Sequence, residues 1–535
     1  MTNVAIDQTS KQDDPADQDT YHPLARDRNE AGFWGWIDRQ ADKVSSWLNP
    51  ILIKEARQSL KSKQFLITFF LMLLASWFWT VVGIVTQAPD VYYTPAGQSL
   101  LAGYYFVLAI PLIAMVPIAA HRSLVAELDD GTFEMLAITR LSSMRIVTGK
   151  LNSAILQMMV YFAAIVPCLA FSYLMRGIDL PTIAMILVIV FFTALLVTSV
   201  GLLLATVTMN RAGQMLSLLG VFFSVLFAEF MCGAFCLGSI LYSEMGSDKD
   251  AILLLILFVV VGMSCVVIFI RAAAARIAPV TENRSTPLRW CMFTQQLLWI
   301  AVIMIMLLWE RDGDIANFGT MIVGGYWLAM GTLMLGESPE LSPRVQRDLP
   351  KTYLGRMLLT WFNPGPGTGF LFATSSGIAG ALTLSLFATI YGDREAETQP
   401  LVFAMIISGY LTGYLGITRL IVMPLSFRLG RSFILPSATM ALVLAFCSII
   451  PTVLTVIATG STPYGYEPLE CIDWMWTLSE SFINPYSPPL ALLVFCVGMT
   501  LALINLLLLF REFRYRRIAV PQRVLQDVAS KAEPG

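Results

Sequence analysis

Charge is what this chain has least of. Only 13% of its 535 residues are Asp, Glu, Lys or Arg, about half the ~25% usual for a soluble domain. Hydrophobic residues make up 56%, and the mean hydropathy is +0.68. These values exclude a soluble globular enzyme, and they exclude a disordered chain, which needs the opposite balance. Histidine is scarcer still. His22 and His121 are the only two, too few for a His-built metal site or a Ser-His-Asp triad. No CxxC occurs among the eight cysteines, which removes zinc ribbons and thioredoxin-type redox pairs. No metal site is expected. Seven cysteines lie in apolar stretches and only Cys471 falls in a polar connection. Cys232 and Cys236 share a helix face at i,i+4, as packing residues or, alternatively, as a soft-metal or redox pair. The net charge of −2 argues against nucleic acid as a partner. No GxxxxGK[ST] loop is present. Gly149-Lys150 runs on into Leu151-Asn152, so ATP phosphates cannot be cradled by that route.

What the chain has in abundance is long apolar runs. About twenty such residues cross a bilayer as a helix. Twelve stretches qualify, near 65–86, 99–120, 151–175, 182–207, 213–242, 251–270, 291–309, 317–336, 368–391, 400–422, 433–459 and 488–510. The fold class expected is an all-α polytopic membrane protein with about 12 transmembrane helices. The fifth run is overlong: 30 residues at ~1.5 Å each exceed the ~30 Å hydrocarbon core. Gly233 and Gly238 lie in its outer half, so a span followed by a re-entrant turn is expected there. With both termini placed in the cytoplasm, all but four of the 35 Lys and Arg fall on the inner side. The exceptions are Arg176, Lys249, Arg311 and Arg394. This asymmetry follows the positive-inside rule and supports the span assignment itself.

Residues 1–31 are polar and read as a disordered cytoplasmic tail, without the basic segment and apolar core of a signal peptide. Residues 32–64 read as an interfacial elbow, with Trp34, Trp36 and Trp47 at headgroup level. Within it, Asn49 and Pro50 form an N-cap and first helical position. At 100° per residue Lys54, Glu55, Arg57, Gln58, Lys61 and Ser62 share one arc. Leu52, Ile53, Ala56 and Leu60 share the other. The expectation is a helix lying on the inner leaflet with its charged face toward the cytoplasm; periodicity alone is equally met by a plain lipid anchor. Between spans two and three, Asp130-Gly131 signals a turn. Thr132 can cap a short helix through Phe133, Glu134, Met135, Leu136 and Ile138, and Ser142 can cap the helix that continues into span three. A short helix with a mixed acidic and apolar surface can dock in a groove of a soluble partner; a solvated loop is the alternative.

These two segments resemble the signatures of ABC transporter permeases of the type-2 exporter family. There an amphipathic NP…KE.RQ elbow precedes the first span, matched here by Asn49, Pro50, Lys54, Glu55, Arg57 and Gln58. A cytoplasmic E…GT.E.L…S…GK segment joins spans two and three, matched by Glu127, Gly131, Thr132, Glu134, Leu136, Ser142, Gly149 and Lys150. A third match is GLLLATVTMNRAGQMLSLL at 201–219. The resemblance covers roughly 49–275 and departs at Arg140, where many relatives have Pro. It implies a six-span permease domain at 65–275 in a bacterial inner membrane, with a cytoplasmic ABC ATPase subunit and a second permease copy as partners. It further implies that Glu127, Gly131, Thr132, Phe133, Glu134 and Leu136 meet the ATPase, and that the chain holds no cofactor of its own, ATP being bound by the partner. Elbow residues Asn49, Pro50, Lys54, Glu55, Arg57 and Lys61 would transmit the ATPase motion.

Residues 276–510 read as a second six-span domain without a second elbow or GT.E segment, and 511–535 as a basic cytoplasmic tail. NPGPGTG at 363–369 is a turn ahead of span nine. Gly409 and Gly413 form a GxxxG packing motif. Arg419 lies near an inner end, where it can snorkel. Glu229 is the one acid deep in an apolar run, and is a pathway residue or an outer-interface residue. The aromatic loop 460–487 reads as an interfacial cap or an exit-side gate. The rival functions are a secondary transporter, which usually carries several intramembrane charges, and a structural membrane-anchor subunit. A membrane-embedded enzyme would need a cluster of His, Asp or Glu at one depth.

Overall fold

The computed structural model describes residues 50–88, 93–130, 142–207, 211–241, 249–279, 283–338, 361–392, 399–429, 433–460, 468–483 and 488–515, together with 352, 466 and 526. The structure is 91% helical, and no strand occurs among the described residues. Among the described residues twelve helices are long and apolar enough to cross a membrane. The protein is an all-α polytopic membrane protein.

A short helix α1 (Pro50–Leu60) precedes the first span. The chain then turns into α2 (Lys63–Gln87), where the Phe65 amide donates to the Ser62 side chain at 3.1 Å and caps the start. Next come α3 (Gly97–Asp129), α4 (Ser143–Leu174), α5 (Leu180–Ala205), α6 (Arg211–Leu241) and α7 (Lys249–Ile277). Two of these spans contain π-helical turns. In α3 the turn is Ile110–Met115, with Pro111 near its start and Pro117 just after it; a proline lacks the N–H needed to continue the regular ladder. In α6 it is Ala234–Leu241. That second turn corrects the sequence expectation. The overlong fifth run is a continuous helix over all its described length, with no re-entrant reversal among the described residues. Gly233 is not a break: the helix runs through it into the π turn, and a Cβ there would make only an ordinary contact, 3.5 Å from the Tyr105 hydroxyl.

The second set comprises α8 (Ser285–Glu310), α9 (Gly313–Leu335), α10 (Pro366–Tyr391), α11 (Gln399–Leu429), α12 (Ile434–Thr459), the short α13 (Trp474–Ile483) and α14 (Pro488–Tyr515). As expected, the turn before the ninth span ends at Gly365, whose φ of 143° only glycine adopts easily. One core gathers around Tyr104, Leu112, Met158, Tyr161 and Ile165, the other around Trp327, Phe372, Tyr410 and Leu415. Helix α7 touches both sets: Val266 and Ile270 pack with Leu124 and Leu202, and Ile268 packs with the second core.

Lipid is as apolar as the side chains, so close fit holds such helices together. The α11–α14 contact is the clearest case. A Cβ on Gly409 would stand 2.7 Å from the Val494 carbonyl oxygen, and one on Gly498 would collide with the Gly409 carbonyl. Of the GxxxG pair, Gly409 is thus the tight position; Gly413 has room, its nearest atom at 3.9 Å. Arg419 does not snorkel. It is 3% exposed, and its Nη1 donates to the Asn505 carbonyl at 2.9 Å and lies 3.3 Å from the Asn505 side-chain oxygen. An internal polar partner on α14 removes the need to reach water.

Candidate functional site

Three helix segments meet at one end of the first set: α1, the end of α3 and the start of α4. Each offers polar residues one helical turn apart on a single face. On α1 these are Glu55 and Ser59, on α3 Ser123 and Glu127, on α4 Lys150 and Ser153. Lys150 is the hub. Its ammonium lies 3.0 Å from Glu127 Oε2 and 3.3 Å from Glu55 Oε2, and it donates to Ser123 Oγ at 2.9 Å. An ammonium has three protons to give, and here each has an acceptor. Ser59 and Ser153 add a hydroxyl contact of 3.1 Å between α1 and α4. Lys150 is 3% and Glu55 7% exposed. Burial, aided by the Glu127 carboxylate, pushes the Glu55 carboxyl above its ordinary value, against the opposing pull of Lys150.

This geometry corrects the elbow reading. Helix α1 begins at Pro50 and carries Lys54, Arg57 and Lys61 on an exposed face. Glu55 is not on that face; it turns inward because its partner sits on α4, ninety-five positions along the chain. The capping role of Asn49 lies outside the described residues. So do Gly131, Thr132, Phe133, Glu134 and Leu136. Glu127 is described and belongs to the cluster.

The third sequence match converges on the same end of the bundle. His121 Nδ1 donates to the Gly201 carbonyl at 3.0 Å. Gln214 at the start of α6 donates to Asp129 at 2.6 Å, and Arg276 at the end of α7 donates to the Val207 carbonyl at 3.1 Å. Helices α1, α3 and α4 are therefore tied by charge, and α3, α5, α6 and α7 by hydrogen bonds. Lys150 links α4 to both α1 and α3.

Glu229 lies in α6 among apolar side chains, and one carboxylate oxygen is shut from solvent with no hydrogen-bond partner among the described residues. Cys232 and Cys236 are one turn further, with sulfurs 3.9 Å apart. Among the described residues no three His, Cys, Asp or Glu are placed to hold a metal. In the loop 460–487 the described stretch docks inward: Tyr410 donates to the Cys471 carbonyl at 2.7 Å and Tyr414 to the Ile472 carbonyl at 2.8 Å. Cys471 is buried.

A pair of polar knots escapes sequence inspection. Arg289, at the start of α8 and 1% exposed, lies 2.6 Å from Glu337 Oε2 and donates to the Trp361 carbonyl at 2.6 Å. Glu337 also accepts from the Gly365 amide at 2.9 Å. The second is Arg419 with Asn505. Both pairings join residues distant in sequence, so only the odd presence of a lone cation beside an apolar run signals them. No protein-family model and no curated protein matches the chain.

Proposed function

We propose that the chain is the membrane-spanning permease subunit of an ABC-type exporter in a bacterial inner membrane, driven by a separate cytoplasmic ATPase. The observation that carries this reading is the convergence of the signature residues. Glu55 from the elbow and Glu127 and Lys150 from the two ends of the 121–150 segment, about a hundred residues apart in sequence, share one buried ion cluster. A plain lipid anchor has no use for a buried carboxylate, whose desolvation costs several kcal/mol. A coupling element does. An ATPase closing on ATP would push the α3–α4 connection and, through Lys150, tilt the elbow and the spans it meets. Only differential contact with the open and closed states can drive such a change. Hydrolysis takes place in the partner, and this chain supplies the path.

The test is purification of the tagged full chain from its native membrane in mild detergent. An ATP-hydrolysing subunit with a phosphate loop is expected in fixed stoichiometry, with hydrolysis altered by Lys150→Met. A chain that purifies without any such subunit, yet transports in proteoliposomes lacking ATP, overturns the reading in favour of a secondary transporter.

A further inference from the structure

The dithiol of α6 has a geometry of its own. Cys232 and Cys236 are both free thiols and both buried, and their sulfurs stand 3.9 Å apart. The pair straddles the junction where the stretch Arg211–Gly233 passes into the π turn Ala234–Leu241. In a regular α-helix a residue four places on is rotated by about 40° from its predecessor. A π turn is wider and takes back part of that rotation, which brings the two thiols into line. Single π turns inside α-helices are frequent at functional sites.

Cys232 has polar company from two other helices. The Tyr105 hydroxyl of α3 and the Thr193 hydroxyl of α5 both lie beside its sulfur. Tyr105 is 3% exposed, and its hydroxyl has no other hydrogen-bond partner among the described residues. A buried phenol usually finds a good acceptor, and a thiol is a weak one. A thiolate is a far better acceptor, and a thiol becomes a thiolate when a metal takes it. The spacing suits that change. Metal–thiolate bonds of ~2.3 Å at an angle near 120° hold two sulfurs about 4.0 Å apart, and the pair already stands at 3.9 Å. A structural zinc ion takes four ligands, and among the described residues no third His, Cys, Asp or Glu is placed to join the pair. Copper(I) is a soft ion that thiolates select, and it is satisfied by few ligands.

We propose that Cys232 and Cys236 form a binding site for a copper(I) ion, held by both sulfurs, with the Tyr105 and Thr193 hydroxyls donating to the Cys232 sulfur. Two S–H protons leave to solvent and two copper–sulfur bonds form, with no change of oxidation state. Two thiolates outweigh the single charge of the ion, and the hydroxyl dipoles offset that surplus in a buried site. The inference does not depend on the transport reading.

The experiment uses the full-length protein in detergent, kept reduced and free of oxygen, and titrated with copper(I) in competition with the chelator bathocuproine disulfonate. One tightly bound copper(I) per chain is expected, and X-ray absorption of the loaded protein should show two sulfur neighbours at ~2.3 Å. Cys236→Ser should weaken binding at least about a hundredfold, the upper end of what loss of an outer-shell partner costs. Tyr105→Phe, which keeps both sulfurs, should weaken it about tenfold. Cys496→Ser, at an exposed position on α14, should bind as wild type does. If the Cys236 variant does not fold, Tyr105→Phe carries the test. No tight copper(I) binding, an affinity unchanged in Cys236→Ser or Tyr105→Phe, or a shell without sulfur overturns the proposal and leaves two packing thiols. Zinc(II) binding as tightly as copper(I) overturns the copper assignment.

Discussion

Lys150 pairs with two carboxylates that come from different helices, and its removal would leave Glu55 buried beside Glu127 with no cation between them. Breaking a buried ion pair by deleting one partner costs about 3–5 kcal/mol. Lys150→Met should accordingly lower the unfolding temperature in detergent sharply. Adding Glu55→Gln to it should recover some of the loss, because one of the stranded charges is gone. A Lys150→Met protein as stable as wild type would show that the cluster does not hold these helices together. Glu55 gives a pH signature. Its folded carboxyl titrates above the ordinary 4.5, so in the window between the two values the folded state keeps a proton that the unfolded state has lost. Stability therefore falls as pH rises through that window, and the fall ends above the folded value. In Glu55→Gln this contribution is absent, and the difference between the wild-type and variant unfolding curves against pH measures it. Parallel curves would show that burial does not shift this group. If the chain is the proposed permease and Glu229, whose buried oxygen has no partner among the described residues, lines its pathway, Glu229→Gln is expected to change transport while leaving assembly with the proposed ATPase intact. Normal transport by a well-expressed variant would assign it a packing role.

Helices α11 and α14 show how small a change can drive neighbouring elements apart. Gly409→Ala places a methyl group 2.7 Å from the Val494 carbonyl oxygen, closer than atoms tolerate, and overpacking of this kind costs about 1–3 kcal/mol. Gly413→Ala meets its nearest atom at 3.9 Å and should be nearly silent. Thermal unfolding of the two variants side by side tests the contact, and equal behaviour would contradict it. The extent of the elements is legible in the sequence because a lipid-facing helix writes its length there as an apolar run. Helix α4 begins just after Ser142 as expected, but the Ser142 side chain makes no capping hydrogen bond there. Elsewhere the sequence misleads, for physical reasons. The overlong fifth run reads as two pieces because its length exceeds the hydrocarbon core and Gly233 and Gly238 lie in its outer half; the described helix runs through both and continues by a π turn. Glu55 reads as solvated because helical periodicity groups charges by angle and carries no information about a lysine ninety-five residues away. The Arg289–Glu337 and Arg419–Asn505 pairs are invisible for the same reason.

For the molecule as a whole, an even number of crossings would put both flanks of the bundle on one side, and the Lys and Arg asymmetry of the sequence predicts that this side is the cytoplasm. On a background without other reactive cysteines, Arg176→Cys should react with an impermeant maleimide added outside. Arg145→Cys should react only after the membrane is opened. Labelling of Arg145→Cys from outside would invert the topology and with it the placing of the ion cluster at the cytoplasmic end. On the proposed function, a cytoplasmic ATPase docks on the connection between α3 and α4 and drives the helices tied together by Lys150. In the sequence that connection carries Phe133 and Leu136 beside Glu134, an apolar anchor with an acid at its rim. Losing a buried apolar anchor commonly costs about 2 kcal/mol, near thirtyfold in affinity; a rim charge costs less and mainly affects association. The direct measurement is the amount of ATPase co-purified with Phe133→Ala, Leu136→Ala, Glu134→Ala and Lys54→Ala relative to wild type, at equal membrane insertion. The prediction is loss of the ATPase for Phe133→Ala and Leu136→Ala, salt-sensitive weakening for Glu134→Ala and little change for Lys54→Ala. Full retention of the ATPase by both the Phe133 and Leu136 variants would contradict it.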